Sequence, residues 1–194
     1  MTVGLGSGTT VAYLLPALAA RGLQLRCVAT SPGTSEAAVA LGLEVVPFTG
    51  LSAPARLDLA IDGADQVDPS GSLIKGGGGA QTREKIVAAA ADRFVVIVSS
   101  NKLVERLGPP IPLELAQFGL AATVLRLQTV RVRDQPPSPD GGVIADYTAQ
   151  FENAERLAHA LSMTPGVVGH GLFPAGMARE VLVGRGDVVE RIVY

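Results

Sequence analysis

The chain has 194 residues and a net charge of −2, with 47% apolar and 18% charged residues. This composition predicts a folded globular chain with one core, or one core and a smaller appended domain, and it excludes an extensively disordered protein. It also argues against a nucleic-acid partner, since there is no basic block and the only aromatic residues are three Tyr and five Phe.

Residues 1–99 are predicted to alternate between strands and helices. After a short strand at residues 1–3, strands are expected at 23–29, 43–48, 57–61 and 94–99, and helices at 11–21, 36–41 and 82–91. Strands that alternate with short helices indicate a parallel sheet. We therefore predict an α/β fold with a Rossmann-like, mainly parallel sheet and helices on both faces.

The pattern changes at the proline cluster of residues 108–112, which predicts a break in regular structure. Further elements are expected as a helical segment to about residue 125, strands at 127–133, 143–147 and 166–173, and a helix at 153–162. Strands at 180–184 and 188–194 are expected to return to the main sheet. The predicted domains are therefore a catalytic α/β domain (1–108 and 179–194) and a small α+β, ferredoxin-like domain (109–178).

No apolar run approaches the roughly 20 residues of a membrane-spanning helix, so no membrane partner is expected. The N-terminus lacks the charged and apolar regions of a signal peptide. A single cysteine, Cys27, excludes an internal disulfide and a cysteine metal cluster, and its place in a predicted strand indicates an inert core residue. We predict a cytoplasmic protein.

The first loop of the predicted sheet, residues 4–10, is rich in glycine and hydroxyl side chains. Glycines let several backbone N–H groups point into one concavity, and the start of the next helix adds positive potential, so the loop favours an anion. Ser7, Thr9 and Thr10 add hydroxyl donors beside Gly8. The loop lacks the Gly-Lys-Ser/Thr ending of a nucleoside-triphosphate loop and the third glycine of the dinucleotide motif. It is interpreted as a site for one phosphate ester, with a tight turn capped by threonine as the alternative.

Three carboxylates and a lysine are predicted to lie at one edge of the sheet. Asp62 and Asp65 follow the strand at 57–61, Lys75 precedes four glycines, and Glu84 lies in the first turn of the next helix. In open α/β sheets ligands bind at this edge. The set suits proton transfer next to a carbonyl group, with a carboxylate base, a cation for the developing oxyanion and a second acid for hydroxyl protons. Taken singly, the same residues are also typical of turns, a solvated charge and a helix N-terminus.

Lys102 follows the strand at 94–99 and reaches the same edge, where it either assists a phosphate group or pairs with a carboxylate. His159 and His170 are isolated histidines without matching carboxylates. Both are therefore interpreted as structural, and no metal site is predicted.

Six short motifs, taken together, resemble the pattern of a known family. In chain order they are Gly-Leu-Gly-Ser-Gly-Thr-Thr at residues 4–10, Asp-Gly-Ala-Asp at 62–65, Lys-Gly-Gly-Gly-Gly-Ala at 75–80, Arg-Glu-Lys at 83–85, Pro-Gly-Val-Val at 165–168 and Gly-Leu-Phe at 171–173. The chain resembles the type A ribose-5-phosphate isomerases in the order of these motifs, which cover nearly its whole length.

The resemblance implies reversible conversion of D-ribose 5-phosphate to D-ribulose 5-phosphate through an enediolate, in the non-oxidative pentose phosphate pathway, with no metal or organic cofactor. It implies that Glu84 is the general base that moves the proton between C2 and C1. Asp62, Asp65 and Lys75 would assist ring opening, hydroxyl proton handling and oxyanion stabilisation. The substrate and phosphate site would be lined by Ser7, Gly8, Thr9, Thr10 and Lys102. A homodimer or homotetramer is also implied, with the small domain taking part in assembly.

The sequence departs from the family pattern at three places. Only residues 1–3 precede the glycine loop, where the family usually has a helix and a longer strand, so we expect a truncation or a misassigned start. Gln66 stands where the family commonly has an acid, and residues 99–101 precede Lys102 where an acid is frequent. We expect the short N-terminus to affect stability and the order of the phosphate loop more than the chemistry. Gln66 removes a charge beside Asp65, and the absence of an acid in residues 99–101 is expected to affect the orientation of Lys102.

Two other classes of protein are compatible with parts of the pattern. A non-catalytic regulatory module that binds a sugar phosphate would keep the glycine loop and lose the acids, but all three acids are present here. A transferase that uses coenzyme A thioesters would need a glutamate nucleophile in a different loop, and only Glu84 offers itself.

Overall fold

The computed structural model describes all 194 residues. The strands, in chain order, are β1 (Thr2–Leu5), β2 (Arg26–Ala29), β3 (Glu44–Val45), β4 (Leu59–Asp62), β5 (Gln66–Val67), β6 (Leu73–Ile74), β7 (Phe94–Ser99), β8 (Ile111–Leu115), β9 (Val130–Val132), β10 (Val143–Tyr147), β11 (Val167–His170), β12 (Leu172–Phe173), β13 (Glu180–Arg185) and β14 (Val188–Val193). The helices are α1 (Thr9–Ala19), α2 (Pro32–Ala40), α3 (Gln81–Ala90), α4 (Leu120–Leu127) and α5 (Ala154–Ser162), and a 3-10 turn covers Ser100–Lys102. None of these helices has the length and hydropathy that a membrane crossing requires.

The chain divides into two compact units. Unit 1 comprises Met1–Ala64, Arg83–Lys102 and Gly176–Tyr194, and unit 2 comprises Asp65–Thr82 and Leu103–Ala175.

Unit 1 is built on a seven-stranded sheet with the strand order β14-β13-β7-β4-β1-β2-β3. All neighbouring strands are parallel except the terminal pair β13 and β14, which form an antiparallel hairpin. The apolar run of β7 is buried along most of its length, as a central strand of a parallel sheet requires. The prediction of a mainly parallel α/β sheet is confirmed.

Helices cover both faces of this sheet. Leu5 of β1 packs with Val11 of α1 in a buried cluster that also contains Cys27. Gly4 faces the other way, because successive residues of a strand point to opposite faces. A Cβ atom on Gly4 would lie 2.4 Å from Cγ1 of Val87 in α3. The helices α1 and α3 therefore lie on opposite faces, and Cys27 is the buried core residue that the sequence predicts.

Unit 2 contains a four-stranded antiparallel sheet with the order β11-β8-β10-β9. Its elements follow each other as β8-α4-β9-β10-α5-β11, which is the ferredoxin-like arrangement. Leu161 of α5 is buried in one apolar cluster with Leu113 and Leu115 of β8. A second sheet of the same unit has the strand order β12-β6-β5.

The structure corrects the prediction for the segment after the proline cluster. The helix expected up to residue 125 begins only at Leu120, and Ile111–Leu115 is instead the strand β8. Within residues 111–115, both the predicted break at 108–112 and the helix predicted after it are wrong. The strand β8 pairs with β10 on one side and β11 on the other, and this pairing outweighs the local sequence signals. Pro112 lacks an N–H group, but its carbonyl oxygen accepts a hydrogen bond of 2.7 Å from the N–H of Gly171.

The boundaries of the units also differ from the predicted domains, because residues 65–82 and 103–108 lie in unit 2 and residues 176–178 in unit 1. Residues between Asp65 and Lys75 form the two short strands β5 and β6, which pair with each other. The strand β6 also pairs with β12, with Ile74 opposite Leu172. Strands of two residues carry no detectable periodicity, so the sequence does not reveal this second sheet.

Candidate active site

Three strands of unit 1 end side by side at the edge that the sequence analysis singles out. The strands β1, β4 and β7 are neighbouring parallel strands. Ser7 follows β1, Asp62 is the last residue of β4, and Lys102 closes the 3-10 turn after β7. Because carboxyl ends of parallel strands meet at one edge, the topology brings these three positions to the same side of the sheet.

The carboxylate of Asp62 is buried and held by backbone N–H groups. Its Oδ1 atom accepts hydrogen bonds from the N–H of Ser7 at 3.1 Å and of Gly63 at 2.7 Å, and the residue is only 3% exposed. The β1–α1 loop approaches so closely that a Cβ atom on Gly6 would lie 1.9 Å from Cγ of Asp62. The absence of a side chain at Gly6 is therefore a condition for this arrangement.

Ser7 joins Asp62 to Glu84, the acidic residue in the first turn of α3. While its N–H donates to Asp62, its Oγ donates a hydrogen bond of 2.6 Å to Oε1 of Glu84, which is 5% exposed. Thr34 of α2 supports the same loop, because its Oγ1 donates to the carbonyl oxygen of Gly6 at 2.9 Å. Two buried carboxylates from separate motifs are thus held by one serine.

The rest of the glycine loop is open to solvent. Gly8, Thr9 and Thr10 are exposed, and Gly8 has a φ of +91°, a conformation that L side chains rarely adopt. The carbonyl oxygen of Gly8 accepts the N–H of Ala12 at 3.1 Å in the first turn of α1. A cavity of about 240 Å³ opens beside Gly8 and extends along α2. The exposed N-terminal turn of α1 is suited to an anion, as the sequence indicates.

Within unit 2, Asp65 and Lys75 lie beside the same glycine turn, residues 76–79. The Oδ2 atom of Asp65 accepts the N–H of Gly77 at 2.7 Å. Lys75 is only 2% exposed, its N–H donates to the carbonyl oxygen of Gly171 at 2.9 Å, and its ammonium lies 5.7 Å from the ring centroid of Phe173. The aromatic face stabilises the buried cation. The Gly-Leu-Phe motif of the sequence therefore serves to hold Lys75.

Two cations lie beside Glu84 in the chain. Burial lowers the pKa of Lys85 to about 8. Arg83 lines a cavity of about 310 Å³ in unit 1, together with the hydroxyl-bearing residues Ser31, Ser35 and Thr49. The N-terminal part of α3 therefore combines a carboxylate with two basic side chains.

Three polar residues of unit 2 occupy environments that the sequence does not predict. Gln66 pairs with the backbone of Gly108 through two hydrogen bonds of 2.9 Å. Gln81 is fully buried in unit 2, and neither atom of its amide group has a hydrogen-bond partner. Arg133 of unit 2 contacts the glycine turn after Lys75. No local signal marks the contacts of Gln66 and Arg133, because their partners lie 42 and 57 positions away in the chain.

The two histidines differ in burial, because His170 is 7% exposed while His159 lies on the surface. Nε2 of His170 lies 3.0 Å from Oγ of Ser162, and its Nδ1 accepts the N–H of Leu172 at 3.3 Å. His159 is exposed on α5. No group of three or more His, Cys, Asp or Glu side chains is arranged to hold a metal ion.

The chain is similar to one family of known proteins over most of its length. The model of the family described as ribose 5-phosphate isomerase A (phosphoriboisomerase A) matches residues 26–188. The ribose-5-phosphate isomerase A of Roseiflexus sp. (strain RS-1) is 43% identical to this chain, over 98% of the chain and 88% of the relative.

Solved structures are similar over almost the whole chain. The ribose 5 phosphate isomerase A of Neisseria gonorrhoeae superposes with a TM-score of 0.92 at 29% identity, covering 99% of this chain and 88% of that one. A D-ribose-5-phosphate isomerase in complex with phospho-erythronic acid superposes with a TM-score of 0.89 at 31% identity, covering 100% of this chain and 91% of that one.

Proposed function

The chain belongs to the ribose 5-phosphate isomerase A family, and we propose that it interconverts D-ribose 5-phosphate and D-ribulose 5-phosphate with Glu84 as the general base. In this isomerisation a proton leaves C2 of the open-chain aldose, an enediolate forms, and a proton is added at C1. The observation that carries the assignment of the base is the hydrogen-bonded set of Glu84, Ser7 and Asp62. It holds two buried carboxylates at the edge of the sheet where ligands bind.

Glu84 is suited to the proton transfer because Ser7 fixes one of its carboxylate oxygens while the residue stays largely shielded from water. A carboxylate that takes the C2 proton and returns it to C1 performs both halves of the reaction without a second base. Asp62 and Asp65 are assigned to ring opening and to the protons of the substrate hydroxyl groups. Lys75 is assigned to the enediolate oxygen, since a buried ammonium stabilises negative charge more strongly than a solvated one.

The phosphate group is assigned to the exposed N-terminal turn of α1 and the loop before it. This assignment is supported by the positive end of the helix, by the hydroxyl groups of the loop and by Lys102 at the same sheet edge. The residues assigned to this part of the site are Ser7, Gly8, Thr9, Thr10 and Lys102.

Replacement of Glu84 by Gln tests the assignment of the base. The amide keeps the size of the side chain but cannot accept the C2 proton, so turnover of ribose 5-phosphate should fall by roughly 10²- to 10⁴-fold, with little change in KM. The same replacement at Glu155, an exposed acid in the first turn of α5, is the matched control. Unaltered turnover in the Glu84 variant would remove this residue from the mechanism.

The isomerase activity itself is tested on the wild-type chain, in the presence of EDTA. We expect ribulose 5-phosphate to form, and deuterium from the solvent to enter the substrate at C2 during the approach to equilibrium. Tight binding of ribose 5-phosphate with no exchange at C2 would instead indicate a regulatory module that binds the sugar phosphate without turning it over.

We also propose that the chain forms a homodimer or homotetramer in the cytoplasm, with unit 2 taking part in assembly. Phe118 and Leu125 of unit 2 are 95% and 79% exposed, and burial of these apolar side chains against a second copy of the chain would be favourable. The single, reduced Cys27 is consistent with a reducing compartment. A monomer at every concentration in light scattering after size-exclusion chromatography would contradict the assembly.

A further inference from the structure

Arg133 connects a buried carboxylate of unit 2 to the glycine turn that follows Lys75. It comes directly after β9, and its own N–H donates to the carbonyl oxygen of Ile144 at 2.9 Å, so its backbone continues the hydrogen bonding with β10. Its side chain is only 16% exposed. The residue is thereby anchored in the sheet while its guanidinium extends to the turn.

One edge of the guanidinium is fixed by Asp146. Nη2 of Arg133 donates to Oδ1 of Asp146 at 2.7 Å and Nε donates to Oδ2 at 3.0 Å, which is a bidentate pair. Burial acts to raise the pKa of Asp146, but the hydrogen bonds and charges of Arg133 and Arg131 outweigh it, and the pKa lies below its usual value. The carboxylate is therefore ionised at neutral pH and holds the guanidinium plane in one orientation.

The remaining nitrogen, Nη1, donates to the carbonyl oxygens of Gly76 at 3.2 Å and Gly77 at 2.8 Å. Glycine residues do not restrict their own backbone, and Gly76 has a φ of +102°, so the conformation of this turn needs support from outside. Arg133 provides that support through two carbonyl groups at once.

The carbonyl group of Gly76 and the N–H group of Gly77 are the two ends of one planar peptide unit. Arg133 holds the carbonyl end, and the N–H end donates to Oδ2 of Asp65 at 2.7 Å. A rotation of this peptide would turn a carbonyl oxygen towards the carboxylate of Asp65, and the two oxygens, both negatively polarised, repel each other. The guanidinium therefore fixes the direction of the hydrogen bond that Asp65 receives.

We propose that Arg133 is a positioning residue for the isomerase reaction, which fixes the Gly76–Gly77 peptide so that its N–H group orients the carboxylate of Asp65. The inference rests on the proposed role of Asp65 in catalysis. Arg133 acts through the glycine turn and need not touch the substrate.

The test compares Arg133→Lys with Arg131→Lys. Lysine can pair with Asp146 as a point charge, but it lacks the fork that also reaches both carbonyl groups. Arg131 is the matched control, because it is 73% exposed and donates to the same carboxylate at 3.3 Å, whereas its hydrogen bonds include none to the turn. We expect kcat to fall by roughly 10- to 100-fold in the Arg133 variant, with a smaller change in KM, and by less than about twofold in the control.

A second measurement reports on the stability of the glycine turn without relying on enzyme activity. Hydrogen exchange of the peptide that covers residues 75–80 should accelerate in Arg133→Lys and not in Arg131→Lys, while exchange in β10 stays unchanged. If hydrogen exchange accelerates throughout unit 2 in Arg133→Lys, the variant Arg133→Ala is measured instead, with and without added guanidinium ion. We expect addition of the ion to restore kcat in this variant.

Unchanged exchange in the turn, or accelerated exchange with unchanged kcat, would overturn the positioning role even if the wild-type chain is an active isomerase. Failure of the guanidinium ion to restore turnover in a folded Arg133→Ala variant would count against it equally. An inactive wild-type chain would refute the proposed function instead, and the exchange measurement would still decide whether Arg133 fixes the turn.

Discussion

Replacement of Gly6 by Ala is expected to disrupt the site in unit 1. The new Cβ atom would lie 1.9 Å from both Cγ and Oδ1 of Asp62, whereas non-bonded carbon atoms need about 3.5 Å. The carboxylate must move away, and it then loses the hydrogen bonds from Ser7 and Gly63. Each such bond to a charged group contributes about 1.5–3 kcal/mol, so the free energy of unfolding should fall by at least about 3 kcal/mol.

For a chain of this size, a loss of about 3 kcal/mol lowers the Tm by roughly 6–12 °C. Thermal unfolding measured by circular dichroism gives this shift, and an assay of ribulose 5-phosphate formation gives the accompanying loss of turnover. Gly33→Ala in α2 is the control, because no heavy atom lies within 4 Å of its added Cβ and its φ is ordinary. That variant should gain about 0.4–1 kcal/mol. A Gly6→Ala protein with wild-type Tm and turnover would refute the close approach of this loop to Asp62.

Two further predictions concern Ser7 and Lys85. Ser7→Ala removes the 2.6 Å hydrogen bond to Glu84 but keeps the backbone N–H that donates to Asp62. We therefore expect kcat/KM to fall by roughly 10-fold while the Tm stays nearly constant. An unchanged kcat/KM would contradict a role for the hydroxyl group. The pKa of Lys85 is about 8 in the folded protein, against 10.5 for a lysine side chain exposed to water. Between these two pH values the unfolded chain binds more protons than the folded protein. The free energy of unfolding should therefore rise with pH in this window, by about 2 kcal/mol. Urea unfolding at pH 8 and 10.5 should show this rise in the wild-type chain and a smaller one in Lys85→Met; equal rises would contradict the burial of the ammonium.

Much of the fold follows from local pattern. The alternation of apolar strands with short helices predicts the parallel sheet of unit 1, and the apolar run of β7 is found at the predicted residues. The same reasoning fails for residues 111–115, where proline is a strong local breaker but β8 is held by neighbours on both sides. It also misses β5 and β6. The strand β5 pairs with β6, and β6 pairs with β12, a strand about a hundred positions further along the chain.

The sequence by itself determined which chemical groups are available and at which end of the strands they stand. Asp62, Asp65, Lys75 and Glu84 are each identifiable from their motifs, because turn residues and glycines next to apolar runs are local signals. Only the tertiary structure decided how these groups are held. Ser7 bonds to partners 55 and 77 positions away, and Arg133 reaches a glycine 57 positions away. Such contacts are set by the order and register of strands that meet only when the chain has folded, and no local propensity encodes them.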